Sequence, residues 1–412
     1  MQQEQEQANG LSIASIWLGG MVSIPSLLIG STLIVGMNFV NTLIAGLLGI
    51  AFVTAFMSLE SIAAVDRRLN TVQLARSAFG SMGASILIGG IIGLATMGWF
   101  GVQTNIAGIS FSKILSDTFE IEVAVALSSA FWGAVMLLTA VYGFRLMKWL
   151  NYIAVPAILL LMFYGLYISF QGKGWDGILS YEAETELSFL SAIGLAIGFV
   201  SVGGVISPDI NRFAKSRKAA IWGSVLGLIP AGMLLLAVGA ILAILQGTHD
   251  ITEIFSQLGY PVLALSILIL ATWTTNVINA YSGGLALNQL FSFTEESRAK
   301  STLIAGAIGT LLALMGILNY FIGFLSLLTT AIPPIAGVII ADYFLTKSFE
   351  EHREEKLRWQ GFLAWAVGVG SILFMEDAVK NLLGIFIAAT CYYLFDKIPK
   401  KEEDKNHEYS AT

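Results

Sequence analysis

Long stretches of this chain carry no Asp, Glu, Lys or Arg, and each has the length of a membrane crossing. No charge lies between Glu6 and Glu60, and the polar break at Met37-Asn38 divides that stretch into two spans. The intervals Arg76–Lys113, Glu122–Arg145, Lys148–Lys173, Glu186–Asp209 and Lys218–Asp250 hold one span each. Glu253–Glu295 holds an eighth with an interfacial segment after it, and Lys300–Asp342 holds two, parted at Asn319-Tyr320. Arg358–Glu376 and Lys380–Asp396 complete a count of twelve. A helix needs about 20 apolar residues to cross the hydrocarbon, and a charge at its centre costs about 2.5–3.5 kcal/mol. The intervals between charges therefore predict the spans. Short runs of alternating polarity, the mark of a membrane β-barrel, are absent, so the expected fold is an all-α helical bundle.

Composition agrees. Of 412 residues, 56% are hydrophobic and 12% charged, about half the charged share of a soluble domain. Of the 22 basic residues, only Lys113, Lys173 and Lys380 fall outside if both chain ends lie in the cytoplasm. That bias predicts the orientation. Glu182, Glu184, Glu186 and Asp250 gather on the opposite side.

Several function classes are excluded. Cys391 is the single cysteine, and His249, His352 and His407 sit in loops or the tail, so no zinc or Cys/His catalytic cluster is expected. Met1–Gly10 has no basic region and is not a signal peptide. The loops are short, and no GxxxxGK[ST] phosphate loop occurs. The chain is expected to be no enzyme, with transport energised by a gradient.

Gly/Pro-interrupted spans at matching places in two halves point to a transporter site. The first span reads Trp17-Leu18-Gly19-Gly20-Met21-Val22-Ser23-Ile24-Pro25, and the sixth Gly198-Phe199-Val200-Ser201-Val202-Gly203-Gly204-Val205-Ile206-Ser207-Pro208. Pro removes a helical donor and Gly exposes backbone, freeing amides and carbonyls for a ligand. With 42 glycines in the chain, packing explains such pairs equally well, but their position heads spans one and six, as five-helix inverted repeats require. The third span adds Thr96, Trp99, Gln103 and Asn105, and the eighth adds Thr272, Trp273, Thr274, Thr275, Asn276 and Asn279. Glu60, Asp209 and Asp342 are expected at helix ends, leaving almost no acid in mid-membrane. A proton relay wants a buried carboxylate or His, whereas hydroxyls and carbonyls suit Na⁺. The alternative reading of Thr274-Thr275 is helix-to-helix hydrogen bonding.

Together these segments resemble the nucleobase:cation symporter-1 family, in particular its cytosine permeases. The resemblance rests on Gly98-Trp99-Phe100-Gly101-Val102, on Pro208-Asp209 with Arg212-Phe213, on Trp273-Thr274-Thr275-Asn276, and on Ala331-Ile332-Pro333-Pro334 followed by Gly337 to Tyr343. It implies the twelve-helix, five-plus-five inverted-repeat fold of the sodium-coupled amino-acid transporters. That places residues 1–10 as a cytoplasmic tail, 11–170 as helices 1–5, 187–345 as helices 6–10, 358–396 as helices 11–12, and 397–412 as a cytoplasmic tail. It also implies import of a flat, neutral heterocycle by symport with Na⁺ and no organic cofactor. The expected setting is the cell inner membrane, with the bilayer and the small substrate as partners, no nucleic acid, and a monomer.

The resemblance further implies residue roles. Na⁺ would take carbonyls near Gly19, Val22 and Ala271 and the hydroxyls of Thr274 and Thr275. Trp99 would stack on the heterocycle, with backbone at Gly198, Phe199, Val200, Ser201 and Val202 along its edge, and Thr96, Gln103, Thr272 and Asn276 beside it. Three positions depart from the cytosine permeases: Thr96 stands for Gln, Val200 for Phe, and Ala271 for Asn. Cytosine is therefore one cargo among pyrimidines, purines, allantoin and thiamine precursors. A proton-coupled carrier of another small neutral solute on the same fold, and a non-transporting sensor, are the other readings.

Overall fold

In the computed structural model the described residues are 7–142, 144–171, 174–183, 185–291, 297–346, 355–375 and 380–398. Among them the chain is helical: α1 Gly10–Met21, α2 Ile24–Leu33, α3 Phe39–Arg67, α4 Thr71–Phe79, α5 Ser81–Phe119, α6 Val125–Tyr142, α7 Phe144–Phe170, α8 Asp176–Leu179 and α9 Phe189–Val205. There follow α10 Ser207–Asn211, α11 Arg217–Gln246, α12 Ile251–Ser256, α13 Pro261–Phe291, α14 Arg298–Leu314, α15 Phe321–Ala331, α16 Pro333–Ala341, α17 Trp359–Phe374 and α18 Lys380–Asp396.

The ends of these helices are set by side chains that satisfy otherwise unpaired amides. Asn38, the polar break read from the sequence, caps α3 by accepting from Asn41 N–H at 2.8 Å. Asn70 and Gln73 form a reciprocal capping box at the start of α4. Among the described residues six helical segments are long and apolar enough to span a membrane. The α1–α2 pair, bent by 61°, supplies a further broken span, and five shorter apolar helices accompany them. The chain is thus an all-α, multi-pass membrane protein.

Small residues let the helices touch backbone to backbone. A Cβ on Gly30 would lie 2.0 Å from the Leu236 carbonyl oxygen, and one on Gly239 would lie 2.1 Å from that of Leu27. The α2–α11 crossing is therefore closed to any larger side chain, as expected where lipid supplies no hydrophobic drive between helices.

Two charges depart from the sequence reading. Glu60 does not sit at a helix end: it lies one turn and more inside α3 and has 0% exposure. Arg358, expected as a flanking loop charge, is also fully buried. Its Nη2 donates to Asp396 at 2.5 Å, and its Nη1 donates to Tyr392 Oη at 3.2 Å and to the Ser77 carbonyl. Tyr392 in turn donates to Asp342 at 2.6 Å, which also accepts from Ser77 Oγ. This network knots α4, the end of α16, the start of α17 and the end of α18 together. The counter-charges and carbonyls gathered there outweigh the pull of a long side chain toward water.

Removing one partner of a buried ion pair leaves the others uncompensated, at a cost of about 3–5 kcal/mol. Arg358→Ala should therefore markedly lower the thermal midpoint of the detergent-solubilised protein. A midpoint equal to wild type would show that the network does not hold these four elements.

Candidate functional site

The first break is a change of bonding, not a gap. Val22 N–H still closes α1 on the Leu18 carbonyl at 3.0 Å, but Ser23 N–H turns to Met21 O at 2.8 Å. In a continuous helix Ser23 N–H would serve Gly19 O, so that carbonyl loses its helical donor. Ser26 Oγ also donates to Met21 O, at 2.5 Å, and Pro25 opens α2 where no amide is needed. The result is a bend flanked by free carbonyls near Gly19 and Val22. Gly19 and Gly20 are exposed, whereas Val22 is buried.

On α13, Thr274 Oγ1 donates to the Ala271 carbonyl at 2.8 Å and Thr275 Oγ1 donates to the same oxygen at 3.2 Å. Each hydroxyl spends its proton on the helix, so its oxygen lone pairs stay available to a cation. α2 packs against α13, while α1 packs against α11. Carbonyl and hydroxyl oxygens without a carboxylate form a neutral, hard donor set that fits a monovalent hard cation.

Trp99, 8% exposed, sits at the centre of an aromatic cluster. Phe324 lies 5.3 Å from it at 80°, Phe321 5.9 Å at 70°, and Phe199 6.1 Å at 75°, all edge-to-face. The cluster joins α5, α9 and α15, and such pairs contribute about 0.5–1.5 kcal/mol each beyond burial. One turn further along α5, Gln103 is buried and its Oε1 has no hydrogen-bond partner among the described residues. A buried, unpaired amide oxygen is costly, and this one lies on the Trp99 side of the helix.

Other expected contributors are committed elsewhere. Asn276 Nδ2 donates to the Phe100 carbonyl and to Thr104 Oγ1, each at 2.9 Å, while its Oδ1 accepts from Asn279 at 3.3 Å. Its amide thus ties α13 to α5. Thr96 Oγ1 donates to Ile92 O at 2.8 Å, and Thr272 Oγ1 donates to Ile269 O at 2.8 Å, each within its own helix.

The sixth-span break differs from its expected place. Gly198, Phe199, Val200, Ser201 and Val202 lie inside continuous α9, and the chain departs from helix at Ile206, before Ser207-Pro208. A Cβ on Gly198 would lie 2.1 Å from the Leu325 carbonyl oxygen, so this glycine serves the α9–α15 crossing. Pro208, rather than the glycines, sets the break. Phe321 and Phe324 were not read as site residues, although their spacing of three at the head of a helix places both on one face.

The family profile described as permease for cytosine/purines, uracil, thiamine, allantoin matches residues 1–392. Cytosine permease of Escherichia coli (strain K12) is 30% identical over 369 residues, covering 88% of this chain and 85% of the relative. The inward-facing conformation of Mhp1 superposes with a TM-score of 0.84 at 22% identity, covering 95% of this chain and 90% of Mhp1. The closed conformation of Mhp1, a nucleobase-cation-symport-1 family transporter with bromovinylhydantoin bound, gives 0.79 at 21% identity, covering 95% and 92%.

The contrast between Asn276 and Gln103 is measurable without any ligand. Asn276→Ala leaves the Phe100 carbonyl and Thr104 short of a donor, at a cost of about 1–3 kcal/mol, and should lower the thermal midpoint of the purified protein. Gln103→Leu removes an unpaired acceptor and should leave the midpoint at or above wild type. The reverse ranking would contradict these assignments.

Proposed function

Because the chain belongs to the nucleobase:cation symporter-1 family, the permeases for cytosine/purines, uracil, thiamine and allantoin, we propose that it imports a nucleobase or related heterocycle by symport with Na⁺. The carrying observation is the Trp99 cluster with the unpartnered Gln103 oxygen one turn away. An aromatic face gains about 1–3 kcal/mol by stacking on a base, and a buried amide reads the polar edge of a flat, neutral ring. In this reading Phe199 rotates or shifts to make room beside Trp99.

Carbonyls near Gly19, Val22 and Ala271 and the hydroxyls of Thr274 and Thr275 hold the coupling Na⁺. The break that frees the first two also lets α1 move relative to α2, so ion binding and helix position are linked. Five helices repeated in inverted order, plus α17 and α18 as two extra spans, give twelve crossings with both ends in the cytoplasm. Exposure of Gly19 and Gly20 on the N-terminal side supports an inward-open arrangement. Alternating access then consists of closing α1 over the site while the other side opens.

Cytosine differs from uracil and from purines in its polar edge, and Thr96, Val200 and Ala271 alter the lining relative to cytosine permeases. The favoured ring is therefore set by Gln103 and by the lining of α9, within the heterocycle class.

Uptake into proteoliposomes of radiolabelled cytosine, uracil, adenine, hydantoin and allantoin, in sodium against choline, tests the proposal. At least one of them should accumulate in sodium and not in choline; accumulation of none would contradict the cargo, and equal accumulation in both salts would contradict the ion. Thr275→Ala removes one oxygen ligand, worth about 1.5–3 kcal/mol for a bond to a charge. It should raise the half-saturating sodium concentration about tenfold to a hundredfold, while unchanged sodium dependence would remove Thr275 from the ion site.

A further inference from the structure

Glu60 is used by none of the chemistry above. It lies seven residues before Arg67, the last residue of α3, or about 10 Å along the helix axis. It is wholly buried, and neither carboxyl oxygen has a hydrogen-bond partner among the described residues. Its neighbours in the chain are taken up by the α9–α10 break: Ser207 Oγ donates to the Met57 carbonyl at 3.4 Å, and Asn211 Nδ2 donates to Ser61 Oγ at 2.5 Å.

The charged groups of the surrounding elements are accounted for. On α10, which packs against α3, Asp209 is solvent-exposed. Its Oδ1 accepts from Thr71 N–H at 2.9 Å and Thr71 Oγ1 at 3.0 Å, at the start of α4. Following α16, Asp342 is committed to Ser77, Tyr392 and Arg358. On α3 itself, Asp66 pairs with Arg217 at 2.6 Å, Arg67 lies over the Tyr343 ring, and Arg68 donates to the Arg212 and Ala214 carbonyls. Arg212, which follows α10, lies over the Phe213 ring, and among the described residues no cation hydrogen-bonds or pairs with Glu60.

A carboxylate buried without a counter-charge or donor costs several kcal/mol, and a proton removes that cost without any partner. Ionisable residues inside a membrane span belong to ion and proton pathways. We propose that Glu60 is a proton-binding site loaded from the N-terminal face through Asp209, so that the transporter moves a proton in addition to its coupling cation. The proton passes from water to the exposed Asp209 carboxylate, then to the Glu60 carboxylate, and leaves across the bundle. The five-residue α10, set off from α9 at Ile206 and bonded to α3 through Ser207 and Asn211, carries Asp209 beside that helix. Protonation of Glu60 is then tied to the conformational cycle. That last link rests on the alternating-access reading; the proton site itself does not.

Infrared spectroscopy of the full chain in lipid nanodiscs, in choline buffer without substrate, tests the site. Wild type should show an un-ionised carboxylic-acid band at neutral pH. Glu60→Gln should lose it, while Asp209→Asn should keep it but slow its hydrogen–deuterium exchange by about a hundredfold, the usual lower worth of a positioned proton donor. Absence of the band in wild type, or its survival in Glu60→Gln, would overturn the proposal. If Glu60→Gln yields no folded protein, Glu60→Asp decides: the band should move, and an unmoved band overturns it.

Pyranine trapped in proteoliposomes reads proton movement during cytosine uptake. Wild type should acidify the lumen, and Glu60→Gln should abolish that signal while cytosine exchange continues. Acidification unchanged in Glu60→Gln would overturn the transport role. A chain that shows the band but takes up none of cytosine, uracil, adenine, hydantoin and allantoin fails the cargo reading alone, and where another of these is taken up it replaces cytosine in the pyranine assay.

Discussion

Inside hydrocarbon there is no water to satisfy a backbone amide or carbonyl, and every other feature of this protein follows from that constraint. Helices dominate because they satisfy their own backbone. Where a helix is interrupted, the released groups must find partners within the protein or a ligand. At Val22-Ser23 the chain spends Ser23 N–H and Ser26 Oγ on Met21 O, which relieves one carbonyl and leaves those near Gly19 and Val22 open. At Ile206-Ser207 the second interruption is closed by Pro208, which has no N–H to satisfy, and by the polar contacts of Asn211 with Trp17, Ser61 and Ser224. Trp17 precedes the first break and Asn211 follows the second, so their 3.0 Å hydrogen bond ties the two interruptions together.

The same constraint divides polar side chains into those that hold helices together and those left for ligands. Asn276, Thr96 and Thr272 discharge their hydrogen bonds on backbone or on α5. Gln103 and Glu60 do not, and both are fully enclosed. Several other buried polar atoms also lack a partner among the described residues, but the Gln103 oxygen lies one turn from Trp99, and Glu60 is an ionisable group inside α3.

Much of this was legible in the sequence. The charge-free intervals marked the apolar helices, six of them long enough to span a membrane among the described residues, although Glu60 and Lys113 lie inside α3 and α5; the Met37-Asn38 boundary was visible because Asn is a helix cap. The bend at Val22-Ser23 was visible as Gly, Ser and Pro in succession. What could not be read was tertiary. Gly198 looked like exposed backbone, but it lets α9 press on α15, which depends on the Leu325 carbonyl over a hundred positions away. Glu60 looked like a flanking charge because its distance from the helix end was invisible until Arg67 and Arg68 were seen to close α3. Arg358 likewise reads as a loop cation until Asp342, Tyr392 and Asp396 are brought around it.

Symport requires the ion and the heterocycle to stabilise each other's binding, and this coupling is reciprocal by thermodynamic necessity. The direct measurement is equilibrium binding of a heterocycle to purified protein across a sodium series, paired with sodium binding at zero and saturating heterocycle. Sodium should lower the heterocycle Kd about fivefold to a hundredfold, and the heterocycle should lower the sodium Kd by the same factor. A heterocycle Kd that does not change from choline to saturating sodium would contradict that coupling.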